Sequence, residues 1–539
     1  MSTQIHIIQN AITTTISEIF RGEFRRICEV KKAVLHLEAI YFCHGTCYLL
    51  KRENMPIKDQ LALYQRIELI PQSTTEFFEN NRECIINNWP EESALAAKPE
   101  ILYDALLASE FCVQPERVGY KIDKVSRDIA GAYYTSSDFS AQITYRALES
   151  YMDRKRRRAI DSDSFACCNE YENITFLDYS CGCGEFLLAV IQYFFNHVLG
   201  YSRKKLATQL RGVDVNPIAL MITIARIVSA VEAEDDENLL REVAKNFIVG
   251  NPLLHSDKIA PLEVRFDNFA LNRLYAETEG ITCLELEQQN LVVLGNPPWE
   301  KLRFEERAFF RPVCPAISAI SQKNKREKEI KKLAVNWLEL LEYYQLLQDD
   351  YASVKKEIPK HPLLKVSLVG ELNTYAMFAE LASRLTEKDG FAAIIVKSAL
   401  VTSTCYSSCF RHFVNQGSLS EVFLFDNREK LFQIDSREKF CVLFFGGEHA
   451  GGIKVHYGLT KQEQILSSVP INVTSEELEL INPETGLLPN VADSKEFSFL
   501  LRTHRSLSVF AKEFPKCHFG RLVHLTAHAE HISIKSEKT

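Results

Sequence analysis

Between Ile174 and Trp299 the chain alternates short apolar runs with turns that carry an acid, an amide or glycine. Ile174-Thr175-Phe176-Leu177 runs into Asp178, and Leu210-Arg211-Gly212-Val213 runs into Asp214. Phe247-Ile248-Val249 runs into Gly250-Asn251, and Leu291-Val292-Val293-Leu294 runs into Gly295-Asn296-Pro297-Pro298-Trp299. Each run is short enough to be one buried strand, and Glu185–Val190 between the first two reads as a helix. Strand, turn and helix repeated in this order predict a Rossmann-like, doubly wound α/β sheet with its polar turns along one rim, where such sheets hold ligands.

Elsewhere the pattern is helical. From Gln4 to about Ile122 apolar residues recur at helix spacing, broken by Pro56, Pro71 and Pro90. A helix is predicted over Phe139–Leu148, capped by Ser137 or Asp138. The basic run Arg154–Arg158 reads as a solvated loop or a phosphate contact. A helical insertion is expected between Lys301 and Pro362. Its first half carries Lys323, Lys325, Arg326, Lys328, Lys331 and Lys332, and Trp337–Tyr344 is amphipathic; a DNA-facing role and a solvated face both fit it.

The turns carry the chemistry. Two prolines stop the fourth strand and stiffen the loop, so Asn296 and Trp299 project from its end. A side-chain amide, proline carbonyls without competing N–H groups and one aromatic face suit a flat base bearing an exocyclic amine. Asp178 stands ahead of Cys181-Gly182-Cys183-Gly184, with two glycines rather than a dinucleotide fingerprint, which suits a cationic ligand better than a pyrophosphate. Asp214 ends a second strand at a remove that suits ribose hydroxyls, and the Asn251 amide could read an adenine edge. Hydroxyls and N–H groups at the helix start after Thr135 can hold a carboxylate.

Composition narrows this reading. At 539 residues the chain exceeds one compact core, so two or three domains are expected. A net charge of −8 excludes a nucleic-acid coat protein; contact with DNA must come from a local patch or another subunit. Fifteen cysteines, an odd number, without a signal segment at Met1-Ser2-Thr3 point to reduced thiols and a cytoplasmic location. No apolar run approaches the ~20 residues that span a bilayer, so no membrane is expected. Glu29-Val30-Lys31 resembles half of a nuclease site, but the first Asp in the chain is Asp59, after it. Cys43-His44-Gly45-Thr46-Cys47, Cys405 with Cys409, and His524, His528 and His531 lack a second ligand pair at zinc spacing, so no metal is expected.

Taken in order, Gly131–Ser136, Asp178–Phe186, Asp214, Gly250-Asn251 and Asn296–Trp299 resemble the motifs of S-adenosylmethionine-dependent N6-adenine DNA methyltransferases. The order is similar to that of the gamma class, common in restriction–modification and phage-defence systems. The resemblance continues through Gly370–Phe378, Gly390–Val396, Phe425-Asp426-Asn427, Phe432 and Ser436–Phe440, covering roughly residues 125–450. Ser136 departs from it, standing where the family often has proline.

The resemblance implies S-adenosyl-L-methionine as cofactor. It implies that Asp178, with Cys181, Gly182 and Gly184, meets the methionine amino group, and that Tyr134 and Thr135 lie near its carboxylate. Asp214 and Val215 would meet the ribose and Asn251 the adenine, while Phe186 packs on the core or lines the pocket. Asn296, Pro297 and Pro298 would hold the target amine, with Trp299 stacking on a base flipped out of the duplex. Asn427 and Phe425 would border the target-base pocket, with Lys325 and Arg326 facing DNA. Five segments follow: an N-terminal helical domain (1–124), a cofactor-binding part with the catalytic turn (125–300), a helical insertion (301–369), the rest of the methyltransferase domain (370–450) and a C-terminal extension (451–539). The expected partners are double-stranded DNA and a separate specificity or nuclease subunit, since only a short tail follows where enzymes of this class carry a recognition domain. Two alternatives stay open: a protein-glutamine N5-methyltransferase, and a non-catalytic DNA-binding subunit retaining the fold.

Overall fold

The computed structural model describes residues 2–96, 98–107, 109–122, 135–161, 171–255, 260–273, 290–386, 389–432, 434–446, 451–507 and 513. Gly131–Tyr134, the histidines near the end and Lys535–Thr539 lie outside the described residues.

The fold is mixed α/β, with helices at the N-terminus and a mixed sheet behind them. Two strands, β1 (Ser109–Gln114) and β2 (Arg117–Ile122), form a hairpin. The others are β3 (Thr175–Asp178), β4 (Leu210–Asp214), β5 (Phe247–Val249), β6 (Leu291–Gly295), β7 (Phe391–Lys397), β8 (Leu419–Asp426), β9 (Lys439–Phe445), β10 (Ile453–Leu459) and β11 (Ile471–Val473). They form one nine-stranded sheet in the order β11-β10-β8-β9-β7-β6-β3-β4-β5. β9 runs antiparallel between β7 and β8, and β11 is antiparallel to β10; the other neighbours are parallel. Every residue of β6 is buried, and β7 is buried up to Lys397, as in strands covered on both faces. From β3 the order runs outward to β5 on one side and through β6 to β7 on the other. The switch point therefore lies between β3 and β6, where a doubly wound sheet opens its ligand crevice.

Three expectations about organisation change. The helical reading up to Ile122 gives way to the β1–β2 hairpin. Phe111 and Val113, with Val118 and Tyr120, alternate at period two; Phe111 faces Tyr120 across the pair, ring centroids 4.9 Å apart. The C-terminal extension is not separate from the sheet. Its first strand, β10, lies parallel to β8 and buries His456, whose Nε2 sits 2.9 Å from Glu421 Oε1. The helical insertion also packs on the N-terminal helices. Trp337 Nε1 donates to Arg25 O at 2.7 Å and Arg25 donates back to Asn336 O at 2.9 Å; farther along, Tyr343 Oη donates to Leu271 O at 2.8 Å, in the segment after β5.

The basic run is not a loop. It continues the helix Ser137–Asp161, which Ser136 caps: Ser136 Oγ accepts from Phe139 N at 3.3 Å. Arg154, the first of the run, turns inward below the sheet, away from the ligand rim, and is 5% exposed. Its guanidinium donates to Asp389 O at 2.7 Å, to Gly390 O at 2.8 Å and to Gly446 O, tying the start of β7 to the end of β9. Arg154→Leu should lower unfolding stability by on the order of 2 kcal/mol, because it leaves buried carbonyls without donors. Urea titration of the variant checks this, with Arg156→Leu, an exposed position in the same run, staying near wild type.

Candidate functional site

At the switch point the ends of β3 and β6 lie side by side, in register from Thr175 with Leu291 to Leu177 with Val293. Asp178 ends one strand and Gly295 the other. A Cβ built on Gly295 would stand 2.7 Å from Asp178 Oδ1, so glycine is needed there for the carboxylate to lie over the neighbouring strand. Asp178 is 2% exposed, and its Oδ1 accepts from Ser180 N at 3.0 Å. Among the described residues no basic side chain pairs with it. Burial lifts its carboxyl to about 8, opposed by the Ser180 N–H and reinforced by the charge of Asp214.

The loop after Asp178 is held by β4. Cys181 N donates to Val213 O at 3.0 Å, and Gly182 N donates to Asp214 Oδ2 at 2.9 Å. Asp214 Oδ1 accepts from Asn216 N at 2.9 Å, so both oxygens of this acid already hold backbone. Burial raises its carboxyl as well, against the backbone N–H groups that lower it. The two glycines do different work. Gly182 has a left-handed φ of +50° and open space where a side chain would be, so a ligand can come close to its Cα. Gly184, at φ +85°, faces the protein instead, and a Cβ there would meet Thr223 Cγ2 at 2.7 Å. Val215, just past Asp214, is 48% exposed, an apolar surface on the rim. Asn251 is half-buried and accepts from Leu253 N at 3.1 Å, which closes the turn after β5. Phe186 is buried in the core.

The turn after β6 meets Thr135. Asn296 Nδ2 donates to Thr135 Oγ1 at 3.1 Å, joining residues far apart in sequence. Tyr134 lies outside the described residues. Trp299 does not stand open: it is 4% exposed, its Nε1 donates to Ile395 O at 3.4 Å, and its ring packs against Phe432 (5.2 Å) and Phe440 (6.1 Å). Phe425 is stacked on the same Phe440 at 5.0 Å and is buried.

Residues not singled out from the sequence fasten this turn. Thr374 Oγ1 donates to Pro298 O at 2.5 Å, Glu300 N donates to Thr374 Oγ1 at 3.0 Å, and Thr374 N donates to Glu300 O at 3.0 Å. Lys301 and Asn373 pair as an antiparallel bridge. Thr374 begins the helix Thr374–Leu385, and Glu380 on that helix accepts from Val366 N at 3.0 Å, Ser367 N at 2.9 Å and Ser367 Oγ at 2.6 Å. The signal was present in Gly370–Phe378, but nothing local tells that its threonine reaches a proline carbonyl. Glu300 is the other surprise: burial lifts its carboxyl to about 8, close to Tyr351 of the insertion.

Two residues expected to face DNA are internal. Asn427 is wholly buried; its Nδ2 donates to Phe432 O at 2.9 Å and its Oδ1 accepts from Phe432 N at 3.0 Å, so the amide closes a loop inside the protein. Arg326 is buried against Glu306 and donates to Ile320 O at 2.9 Å, which anchors its helix. Lys325, one residue earlier, is exposed.

Gly295→Ala should weaken binding of a cationic ligand about tenfold by displacing the Asp178 carboxylate. Calorimetric titration against wild type checks this, with thermal melting to separate loss of binding from loss of fold.

No family model matches the chain, and no curated protein does. Solved structures do align with it. The DrdV–DNA complex gives a TM-score of 0.48 at 11% identity, covering 88% of this chain and 44% of that one. A nuclease-deletion mutant of the Type ISP restriction-modification enzyme LlaGI, in complex with a DNA substrate mimic, gives 0.46 at 13%, covering 92% and 38%. A type I restriction-modification system methyltransferase subunit from Streptococcus thermophilus gives 0.35 at 11%, covering 94% and 93%. The chain thus spans less than half the length of the first two structures it is similar to.

Proposed function

We propose that this chain is an S-adenosylmethionine-dependent DNA methyltransferase acting on adenine N6, in a restriction–modification or phage-defence setting. One observation carries the reading: the acid that ends β3 lies against the glycine that opens the Asn-Pro-Pro-Trp turn, so the two halves read from the sequence share one place on the rim.

The residues fit the cofactor. Asp178 is a buried carboxyl that no basic side chain pairs among the described residues, suited to a methionine ammonium, and Gly182 leaves open space beside its Cα. Asp214 and the exposed Val215 suit a ribose and an apolar ring face. Bound there, the cofactor supplies an electrophilic methyl group. Adenine N6 is a weak nucleophile because its lone pair is delocalised into the ring. In this reading the Asn296 side-chain oxygen and the Pro297 carbonyl accept the two amine hydrogens and orient the nitrogen. Thr135 aims the Asn296 amide through its hydroxyl, and Thr374 holds the backbone that carries it. Trp299 anchors the turn to the sheet; stacking on a flipped base would require its ring to leave Phe432 and Phe440. Lys325 stays a candidate of the insertion for a phosphate contact, with the exposed Lys323, Lys328, Lys331 and Lys332.

Incubation with methyl-labelled cofactor, duplex DNA and cell protein tests the proposal. Label in DNA as N6-methyladenine is the expected result. Label in protein glutamine, or in neither, overturns it.

A further inference from the structure

The helix Pro99–Leu107 belongs to the N-terminal helical region, yet it reaches both loops of the rim. Glu100 and Tyr103 are three residues apart and so share one face of that helix. Tyr103, buried, accepts a hydrogen bond at its phenol oxygen from Asn216 Nδ2. Asn216 Oδ1 accepts from Ile218 N at 2.9 Å while its backbone N–H donates to Asp214 Oδ1 at 2.9 Å. The phenol thus fixes the residue that fixes the acid. Glu100 reaches the other loop through Arg226, with its Oε2 3.9 Å from Arg226 Nε. Arg226 Nη1 donates to Cys183 O at 2.5 Å and to Glu185 Oε1 at 2.6 Å, holding the segment between the two glycines. All three charged side chains of this cluster are largely buried.

We infer that Glu100 and Tyr103 are positioning residues for the cofactor, and that the N-terminal helical region is part of the cofactor site rather than an appendage to it. This rests on the reading of the rim as a cofactor site. Asp214 and the glycine loop have the form a ligand needs only while this helix is docked. By linkage, what displaces the helix weakens cofactor binding, and bound cofactor holds the helix in place.

The test uses the full chain carrying Tyr103→Phe or Glu100→Gln, with Lys98→Gln, at an exposed position beside the helix, as control. S-adenosylmethionine affinity is measured by titration calorimetry, and kcat at saturating cofactor. The phenylalanine leaves the Asn216 amide without its acceptor, and the glutamine removes a charge from Arg226. Each is expected to raise Kd about three- to tenfold with kcat within twofold of wild type and the control unchanged. Two results would overturn the inference: a Kd within twofold of wild type with only the melting temperature lowered, or a kcat that falls in step with the melting temperature at unchanged Kd. Should Tyr103→Phe fail to fold, Glu100→Gln decides alone. A wild-type chain that binds no S-adenosylmethionine removes the proposed function itself, and this inference with it.

Discussion

Asn296→Ala should lower kcat for methyl transfer by about two to three orders of magnitude while leaving cofactor affinity near wild type. The amide stands at the end of β6 on a turn that two prolines stiffen, so its oxygen is placed before substrate arrives and needs no reorganisation. Removing a preorganised polar group of this kind typically raises a barrier by roughly 3–4 kcal/mol, because its hydrogen bond strengthens as charge develops on the reacting atom. Cofactor affinity should survive, since Asp178, Gly182 and Asp214 keep their own hydrogen bonds without Asn296. Single-turnover kinetics with the labelled cofactor, alongside equilibrium titration, separates the two quantities. Equal losses in both would mean that the turn serves binding and not the reaction. Asn296→Asp is an informative companion: it keeps the side-chain oxygen but puts a second oxygen where the amide NH2 donates to Thr135.

The second large effect is on pH dependence. Asp178 is held neutral up to about 8 by burial, and no basic side chain among the described residues pairs with it. Binding a cationic ammonium favours the ionised acid, so below pH 8 each binding event must release the proton. Affinity for S-adenosylmethionine should then rise close to tenfold per pH unit well below 8 and flatten as 8 is approached, about 25-fold in all from pH 6 to pH 8. Above that an α-amino group, with a pKa near 8, itself loses charge, so the profile should peak close to pH 8. Asp178→Asn should bind weakly with a flat lower limb. A wild-type affinity that stays constant between pH 6 and 8 would show that this acid does not meet a charged group. Stability without ligand runs the other way. The folded pKa is raised above the ordinary carboxyl range, so the neutral acid's contribution is full at low pH and is lost as pH rises toward and through 8.

What the sequence disclosed was local. Apolar runs closed by Asp178, Asp214 and Gly295-Asn296 announced the parallel strands and the rim, because burial on both faces and strand-ending turns leave their mark within a few residues. The partners of side chains left no such mark. Arg154 looked like surface charge because its acceptors are backbone carbonyls beyond residue 388, which no pattern around residue 154 encodes. Asn427 and Arg326 were misassigned for a related reason: an amide or guanidinium that satisfies its own chain reads the same as one that waits for a ligand. The β1–β2 hairpin was absorbed into a helical stretch, since its two strands are short and follow a long helical pattern. The strands after residue 450 were set apart because they lie beyond the last motif; it is pairing with β8 that joins them to the sheet. Trp299 shows a limit of another kind. A motif names the ring, but whether it faces a pocket or the Phe432–Phe440 cluster depends on residues more than a hundred positions later.

The bridge between Lys301 and Asn373, continued by the bond from Leu302 N to Leu372 O, has an evolutionary corollary. It closes a stem directly behind the Asn-Pro-Pro-Trp turn, so everything from there to the Thr374 clip is an excursion whose two feet stand together. A closed base hides the size of what it carries: lengthening the excursion changes loop-closure entropy only logarithmically. Such a junction lets a lineage vary the excursion while the turn ahead of it stays still.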